Sequence, residues 1–201
     1  MRPELRLQNL TTSQFLANLG VLTDTYAAAM RMPAQDLPAR RAVMAHHATY
    51  GLFRAVVATA CNGGGKGHGV LPVTGFAYGF HGGAGQWWHD LVYDALARSH
   101  GVVVADRWLA DSFEVAEVHV HPDHQGQGTG RAMLTTLLEG RPERTAVLST
   151  MTGDTPAHRL YLSMGFATLL PSFYFPGAVD PYEVMGTDLP LVPRARRPSR
   201  S

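Results

Sequence analysis

Apolar and polar positions along the chain fall into two periods, and the changes between them mark out the elements. Glu4 to Gln8 alternates, with Leu5 and Leu7 on one face and Arg6 and Gln8 on the other, which predicts a short strand. Phe15, Leu19, Leu22, Tyr26 and Met30 recur at helical spacing and predict one helix over Ser13 to Met30, capped by Thr11, Thr12 or Ser13. Met32-Pro33 ends it, and Pro38 marks the start of a second helix running to about His47. Gly51 to Ala60 and Val70 to Phe80 read as two strands. The glycine-rich run Cys61 to Gly69 between them reads as a flexible hairpin connection, because no helix follows it. Gln86 to Arg98 is predicted helical, and Trp108 and Leu109 add a further amphipathic patch. Phe113 to Val120 is a strand rich in β-branched and apolar residues, and Arg131 to Glu139 a helix carrying Met133, Leu134, Leu137 and Leu138. A strand over Arg144 to Met151, a helix over Asp154 to Met164, and strands over Ala167 to Leu170, Pro171 to Pro176 and Tyr182 to Asp188 complete the order.

The stretch Ser112 to Gly140 organises this pattern. Its strand is stopped by Pro122 and Asp123, and Gln125-Gly126-Gln127-Gly128-Thr129-Gly130 then leads straight into a helix. Glycines permit positive φ and a close approach of backbone to ligand. The unpaired N–H groups and the dipole at a helix N-terminus favour an anion. The physical reading is a pyrophosphate cradle. A Walker-type phosphate loop is excluded because no lysine follows, and a dinucleotide fingerprint because Arg131 stands where its third glycine belongs.

What does fit is Gln/Arg-x-x-Gly-x-Gly/Ala directly after a strand ending in Val120-His121-Pro122. This closely resembles the acetyl-CoA-binding motif of the GNAT superfamily of N-acetyltransferases. A second stretch, Asp154-Thr-Pro-Ala157-His-Arg-Leu-Tyr161 ending in Gly165-Phe166, resembles that superfamily's second signature, with Asp154 where many members have Asn. Either residue is able to cap a helix. The two signatures cover about a third of the chain, and the element order extends the resemblance over most of the rest.

The resemblance implies an α/β (α+β) fold with a mixed, mostly antiparallel central sheet flanked by helices. About 81–111 is a helical insertion between the third and fourth strands, longer than a minimal member of the superfamily has. The two N-terminal helices are implied to lie beside the acceptor site, and pantetheine to insert where the strand at Arg144 to Met151 splays from its neighbour. Acetyl-CoA is the implied co-substrate. Val118, His119 and Val120 should meet its acetyl and pantetheine end, and Gln125, Gly126, Gln127, Gly128, Thr129, Gly130 and Arg131 its pyrophosphate. Asp154 is implied as a weaker contact. Tyr161 matches the tyrosine near the coenzyme sulfur, where its phenol would protonate the leaving thiolate.

The amine acceptor must lose a proton, so a base helps. Glu114 and Glu117 both lie on the central strand, three apart, and a regular strand points them to opposite faces. Glu117 stands three residues before Val120, a position often acidic in superfamily members that acylate small amines. It is the preferred base; the alternative is that both carboxylates pair with arginines on neighbouring elements. His119 shares a strand face with Glu117 and is placed to relay its proton. His119, His121 and His124 lack the further ligands that a metal site needs, so no metal is expected. Cys61 has no motif around it, and with no other motif-embedded nucleophile the expected route is direct attack in a ternary complex. Trp87, Trp88, Tyr93 and Trp108 in the insertion either pack against the sheet or line an acceptor pocket or dimer contact.

Composition narrows the setting. At 201 residues and 45% apolar content the chain suits one domain, 1–189, with a Pro- and Arg-rich tail over 190–201 read as disordered. A net charge of +1 gives no reason to expect a nucleic-acid partner. The single cysteine excludes a disulfide framework, and no secretory signal or membrane-spanning apolar run is seen. The expectation is a cytoplasmic monomer or homodimer that acts on a small-molecule amine or a protein amino group. The same features would suit a non-catalytic sensor of acyl-CoA, or a transferase of another acyl group.

Overall fold

A computed structural model describes residues 4–61 and 73–191. Its strands are β1 (Glu4–Leu10), β2 (Arg54–Cys61), β3 (Val73–Gly82), β4 (Ser112–Val120), β5 (Thr145–Met151), β6 (Ala167–Phe173) and β7 (Tyr182–Asp188). Its helices are α1 (Thr12–Ala17), α2 (Leu19–Met30), α3 (Leu37–His47), α4 (Trp87–His100), α5 (Val102–Leu109), α6 (Thr129–Leu138) and α7 (Pro156–Ser163). The result is the expected mixed α/β architecture: one seven-stranded, mostly antiparallel sheet with helices, and a helical insertion (α4, α5) between β3 and β4. No helix among the described residues is long and apolar enough to cross a membrane. The glycine-rich connection after Cys61 and the Pro/Arg-rich tail lie outside the described residues.

The chain divides into two compact units, Met1–His81 with Glu114–Leu137, and Gly82–Phe113 with Leu138–Ser201. In the first, the strand order is β1-β2-β3-β4. β1 and β2 pair antiparallel from Glu4↔Cys61 to Leu10↔Ala55; β2 and β3 pair antiparallel with a register shift at Ala58/Thr59. At Gly75 the backbone of β4 comes so near that a Cβ would lie 2.9 Å from the His119 carbonyl oxygen, so only glycine fits. Phe15, Leu22, Tyr26, Met44, Val57, Phe76, Tyr78 and Phe80 form this unit's core. Burial of each such side chain stabilises the fold by about 1.5–3 kcal/mol.

In the second unit the order is β5-β7-β6. β5 and β7 pair without interruption from Thr145↔Asp188 to Met151↔Tyr182. The core joins Val92, Leu96, Ala105 and Leu109 of the insertion to Val147, Leu170, Phe175 and Val184. Gly186 is required by packing, since a Cβ there would meet the Trp108 ring at 2.8 Å.

Four local readings need correction. The helix expected over Ser13–Met30 is two helices, because Asn18 turns out of helical geometry (φ −103°, ψ 7°) and donates from Nδ2 as well as N–H to the Gln14 carbonyl. Its cap is Thr11, in a reciprocal box with Gln14. The patch at Trp108 and Leu109 is the end of a full helix, α5, entered through Gly101 at φ +90°. Ala167–Leu170 and Pro171–Pro176 are not two strands: β6 runs through Pro171 to Phe173. The proline is tolerated because β6 is the last strand of the order, and the register slips on either side of Leu170. Finally, α7 is capped by Thr155, whose hydroxyl accepts from the His158 N–H at 3.0 Å, and not by Asp154. Pro156 at the first helical position places the cap one residue later than the motif suggested.

Candidate functional site

β4 carries the site. Beyond Val120 the His121 N–H donates to the Thr74 carbonyl at 2.8 Å, which keeps β3 alongside to the end of the strand. One 3₁₀ turn, Pro122–His124, reverses the chain, and Gln125 folds back to donate from Nε2 to the Val120 carbonyl at 3.0 Å. Gly126 and Gly128 then take φ of +72° and +85°, and a Cβ at either would meet no protein atom within 4 Å. Backbone conformation and clear space on the outer side, not packing, explain the glycines. Gln125 to Gly128 are exposed, whereas Thr129 is buried as α6 begins. The Ala132 N–H bonds to the Gly128 carbonyl at 3.0 Å, so the N–H groups of Thr129, Gly130 and Arg131 precede the helical ladder. The arrangement fits an anionic group such as a pyrophosphate on this turn, with Val118, His119 and Val120 on the strand leading to it.

The same strand holds a charge cluster. Glu117 divides its carboxylate: Oε1 accepts from Arg40 Nη1 of α3 at 2.9 Å, and Oε2 is hydrogen-bonded to His119 Nε2. Glu117 and His119 are each only 12% exposed as side chains. Burial would raise the Glu117 pKa, but the charge and hydrogen bond of His119 and then the charge of Arg40 outweigh it and hold the carboxyl below its usual range. The rings of Tyr26 of α2 and His119 meet in a T-shaped contact, centroids 4.6 Å apart, and the Arg40 guanidinium lies 4.5 Å over the Tyr26 ring. Behind them His47 Nδ1 is 3.0 Å from the Tyr78 hydroxyl. Burial pushes His47 down to about 4, against the pull of Glu117, so the ring is neutral at pH 7. Burial, with the Glu117 charge, raises Tyr78 well above the ordinary phenol range.

Glu114 differs from Glu117. It is 5% exposed, its Oε2 has no hydrogen-bond partner, and burial followed by the Glu117 charge pushes its pKa up to about 8. At neutral pH it is a neutral carboxylic acid and Glu117 a carboxylate.

The remaining sequence-predicted residues lie in the second unit. Tyr161 on α7 is 7% exposed, with its ring 5.7 Å from that of Phe166. Asp154 is bound to Arg159, 2.7 Å from Oδ1 to Nη1. In the insertion, Trp88 donates from Nε1 to Ser149 Oγ at 3.1 Å, Tyr93 donates to Asp106 at 2.7 Å, and the exposed Trp87 stacks on Phe175. No group of three or more His, Cys, Asp or Glu among the described residues is placed to hold a metal ion.

Sequence reasoning found the strand, the loop and the Glu117–His119 pair, but missed Arg40, His47, Tyr78 and the Tyr26 ring as parts of one cluster. The signal available was indirect: Arg40 and His47 fall on the helix implied to lie beside an acceptor.

Comparison with known proteins bears on the fold and on the stretch that holds the glycine loop. Residues 75–168 match the family model of the acetyltransferase (GNAT) domain. A GCN5-like protein acetyltransferase of Mycobacterium tuberculosis is 38% identical over 124 residues, which span 60% of this chain and 60% of that relative's length. Among solved structures, a GNAT-family protein from Desulfovibrio desulfuricans superposes with a TM-score of 0.60 at 14% identity, over 92% of this chain and 99% of its own. The yncA protein of Salmonella typhimurium, solved with acetyl-CoA, gives 0.56 at 20% identity, over 92% and 94%. The ribosomal-protein-S18-alanine N-acetyltransferase of Escherichia coli gives 0.59 at 19% identity, over 94% and 96%. At these identities the superpositions speak for the fold; the family-model match shows that residues 75–168, the glycine loop included, carry a GNAT acetyltransferase domain.

Proposed function

We propose that the protein transfers an acetyl group from acetyl-CoA to a primary amine by direct attack, with Glu117 and His119 as the proton-accepting pair. One observation carries this reading: a part-buried carboxylate–imidazole pair on the strand that runs directly into an open, positive-φ glycine turn at a helix N-terminus. The coenzyme supplies the activated acetyl thioester. The N–H groups from Gly126 to Arg131 hold its pyrophosphate, and the main chain of Val118 to Val120 aligns the acyl end. Glu117, held ionised, takes the proton that the attacking amine must lose, and His119, hydrogen-bonded to its other oxygen, relays that proton onward. Tyr161 returns a proton to the thiolate as the C–S bond breaks, and Asp154 is at most an outer contact because Arg159 occupies it. The acceptor is a small-molecule amine or a protein amino group, and the protein acetyltransferase among the relatives supports keeping the second class in the screen.

The test is calorimetric titration with acetyl-CoA of the wild type and of Gly128→Glu, followed by a thiol-release screen of amines and basic peptides. Micromolar binding that the variant loses, with turnover on an amine, is the expected result. Absence of binding at millimolar coenzyme would sink the reading. Binding without turnover on any amine would favour an acyl-CoA-sensing module, and faster turnover of a larger thioester another acyl donor.

A further inference from the structure

The base just proposed already has a cation on it. Arg40 lies between a carboxylate and an aromatic face: Nη1 is 2.9 Å from Glu117 Oε1, and the guanidinium carbon is 4.5 Å from the centroid of the Tyr26 ring. The members of this arrangement differ in freedom. Tyr26 is 4% exposed and belongs to the core, and Glu117 is 12% exposed and tied to His119. Arg40 is 28% exposed, on a long stem from a helix whose outer face is solvated. Two walls are fixed and the cation between them is the movable part. A carboxylate beside an aromatic face is what an organic cation with an apolar stem requires, the face contributing through its quadrupole.

We propose that the notch between Tyr26 and Glu117 is the seat of the acceptor's cationic head, and that Arg40 fills it as an internal competitor until the acceptor displaces it. The acceptor is then bound as a primary alkylammonium, its carbon stem along Tyr26 and its nitrogen on Glu117 Oε1. Glu117 takes the proton in the next step, and His119, on its other oxygen, relays it. Displacing Arg40 reduces apparent affinity by the fraction of time that the notch is open, so a cation that cannot also make the remaining contacts is held weakly. The word acceptor rests on the acetyltransferase reading; the notch itself is testable without turnover.

The experiment titrates the full chain with n-butylammonium chloride at constant ionic strength and follows the His119 imidazole by nitrogen-15 NMR. It compares the wild type with Arg40→Ala, Arg40→Lys and Arg40→Gln, with n-butanol as the uncharged control. Arg40→Ala and Arg40→Gln should bind n-butylammonium about tenfold more tightly than the wild type, as expected when a competitor filling the site nine-tenths of the time is removed. Arg40→Lys should resemble the wild type, and n-butanol should leave His119 unmoved in every form. Equal or weaker binding in the two neutral variants would overturn the proposal and leave Arg40 as a fixed support of Glu117. The glutamine variant carries the test if the alanine variant fails to fold. Acetyl-CoA titrations of the same samples separate the two readings. Tight n-butylammonium binding without coenzyme binding keeps the notch and removes the acetyl donor; the converse removes only the notch.

Discussion

His119 reaches back two positions along β4 to hydrogen-bond Oε2 of Glu117. The pair shares one face of the strand; burial alone would raise the carboxyl's pKa, and His119 first and Arg40 second hold it below its usual range. His119→Ala removes the larger opposing influence and leaves the burial, so the Glu117 titration moves upward. The acid limb of kcat/KM against pH should shift towards neutrality, and Glu117→Gln should lower kcat/KM by about a hundredfold. A limb in the same place in His119→Ala takes the imidazole out of the chemistry.

Gly128 sits at φ +85° with open space beyond its Cβ position. Gly128→Glu should therefore cost only about 1 kcal/mol of stability, from the strained backbone. Acetyl-CoA affinity should fall at least a hundredfold, since a carboxylate would stand where the pyrophosphate belongs. Calorimetry and a urea melt on the same preparation separate the two effects. Comparable losses in both would mean that the loop is structural.

Tyr161 is buried with its ring against Phe166, so Phe at 161 keeps the packing and removes only the hydroxyl. Tyr161→Phe should reduce kcat about tenfold or more while acetyl-CoA affinity stays within about twofold. Thiol release under saturating amine is the measurement. A fall in affinity with unchanged kcat would assign the phenol to coenzyme binding instead.

Glu114 gives a pH dependence of the opposite sign from that of a salt-bridged carboxylate. Its pKa is raised from 4.5 to about 8 by burial and by Glu117, so between those values the folded chain holds a proton that the unfolded chain has released. Stability is therefore fully retained below about pH 4.5, declines as pH rises towards 8, and levels off above it, a total on the order of a few kcal/mol. Glu114→Gln should match the wild type near pH 4.5 and exceed it increasingly up to pH 8.5 in urea unfolding. Parallel curves for the two proteins would show that Glu114 ionises without penalty.

Periodicity exposed the elements that a single local rule governs. β7 falls at Tyr182–Asp188 as read, because apolar alternation and flanking turns agree there. Where a hydrogen bond or a neighbour overrides the period, the reading slipped. The apolar stripe from Phe15 to Met30 continues across Asn18 whether or not the helix does, and the Trp108–Leu109 patch gives no sign that a full helix begins at Gly101. In the site, the glycine loop and the β4 residues were legible because their placement is set by neighbours in sequence. Arg40 meets Glu117 across 77 positions, and His47 meets Tyr78 across 31; no spacing rule reaches that far.

Pro171, in the strand that ends the sheet order, has a consequence outside the molecule. An outermost strand offers its free N–H and C=O groups to any extended chain in solution, and that offer is how folded sheets recruit one another into aggregates. β6 withholds one donor at Pro171 and breaks register on either side of Leu170, so a second chain cannot zip along it. The protein can thus leave this edge of its sheet in solvent without making it a template.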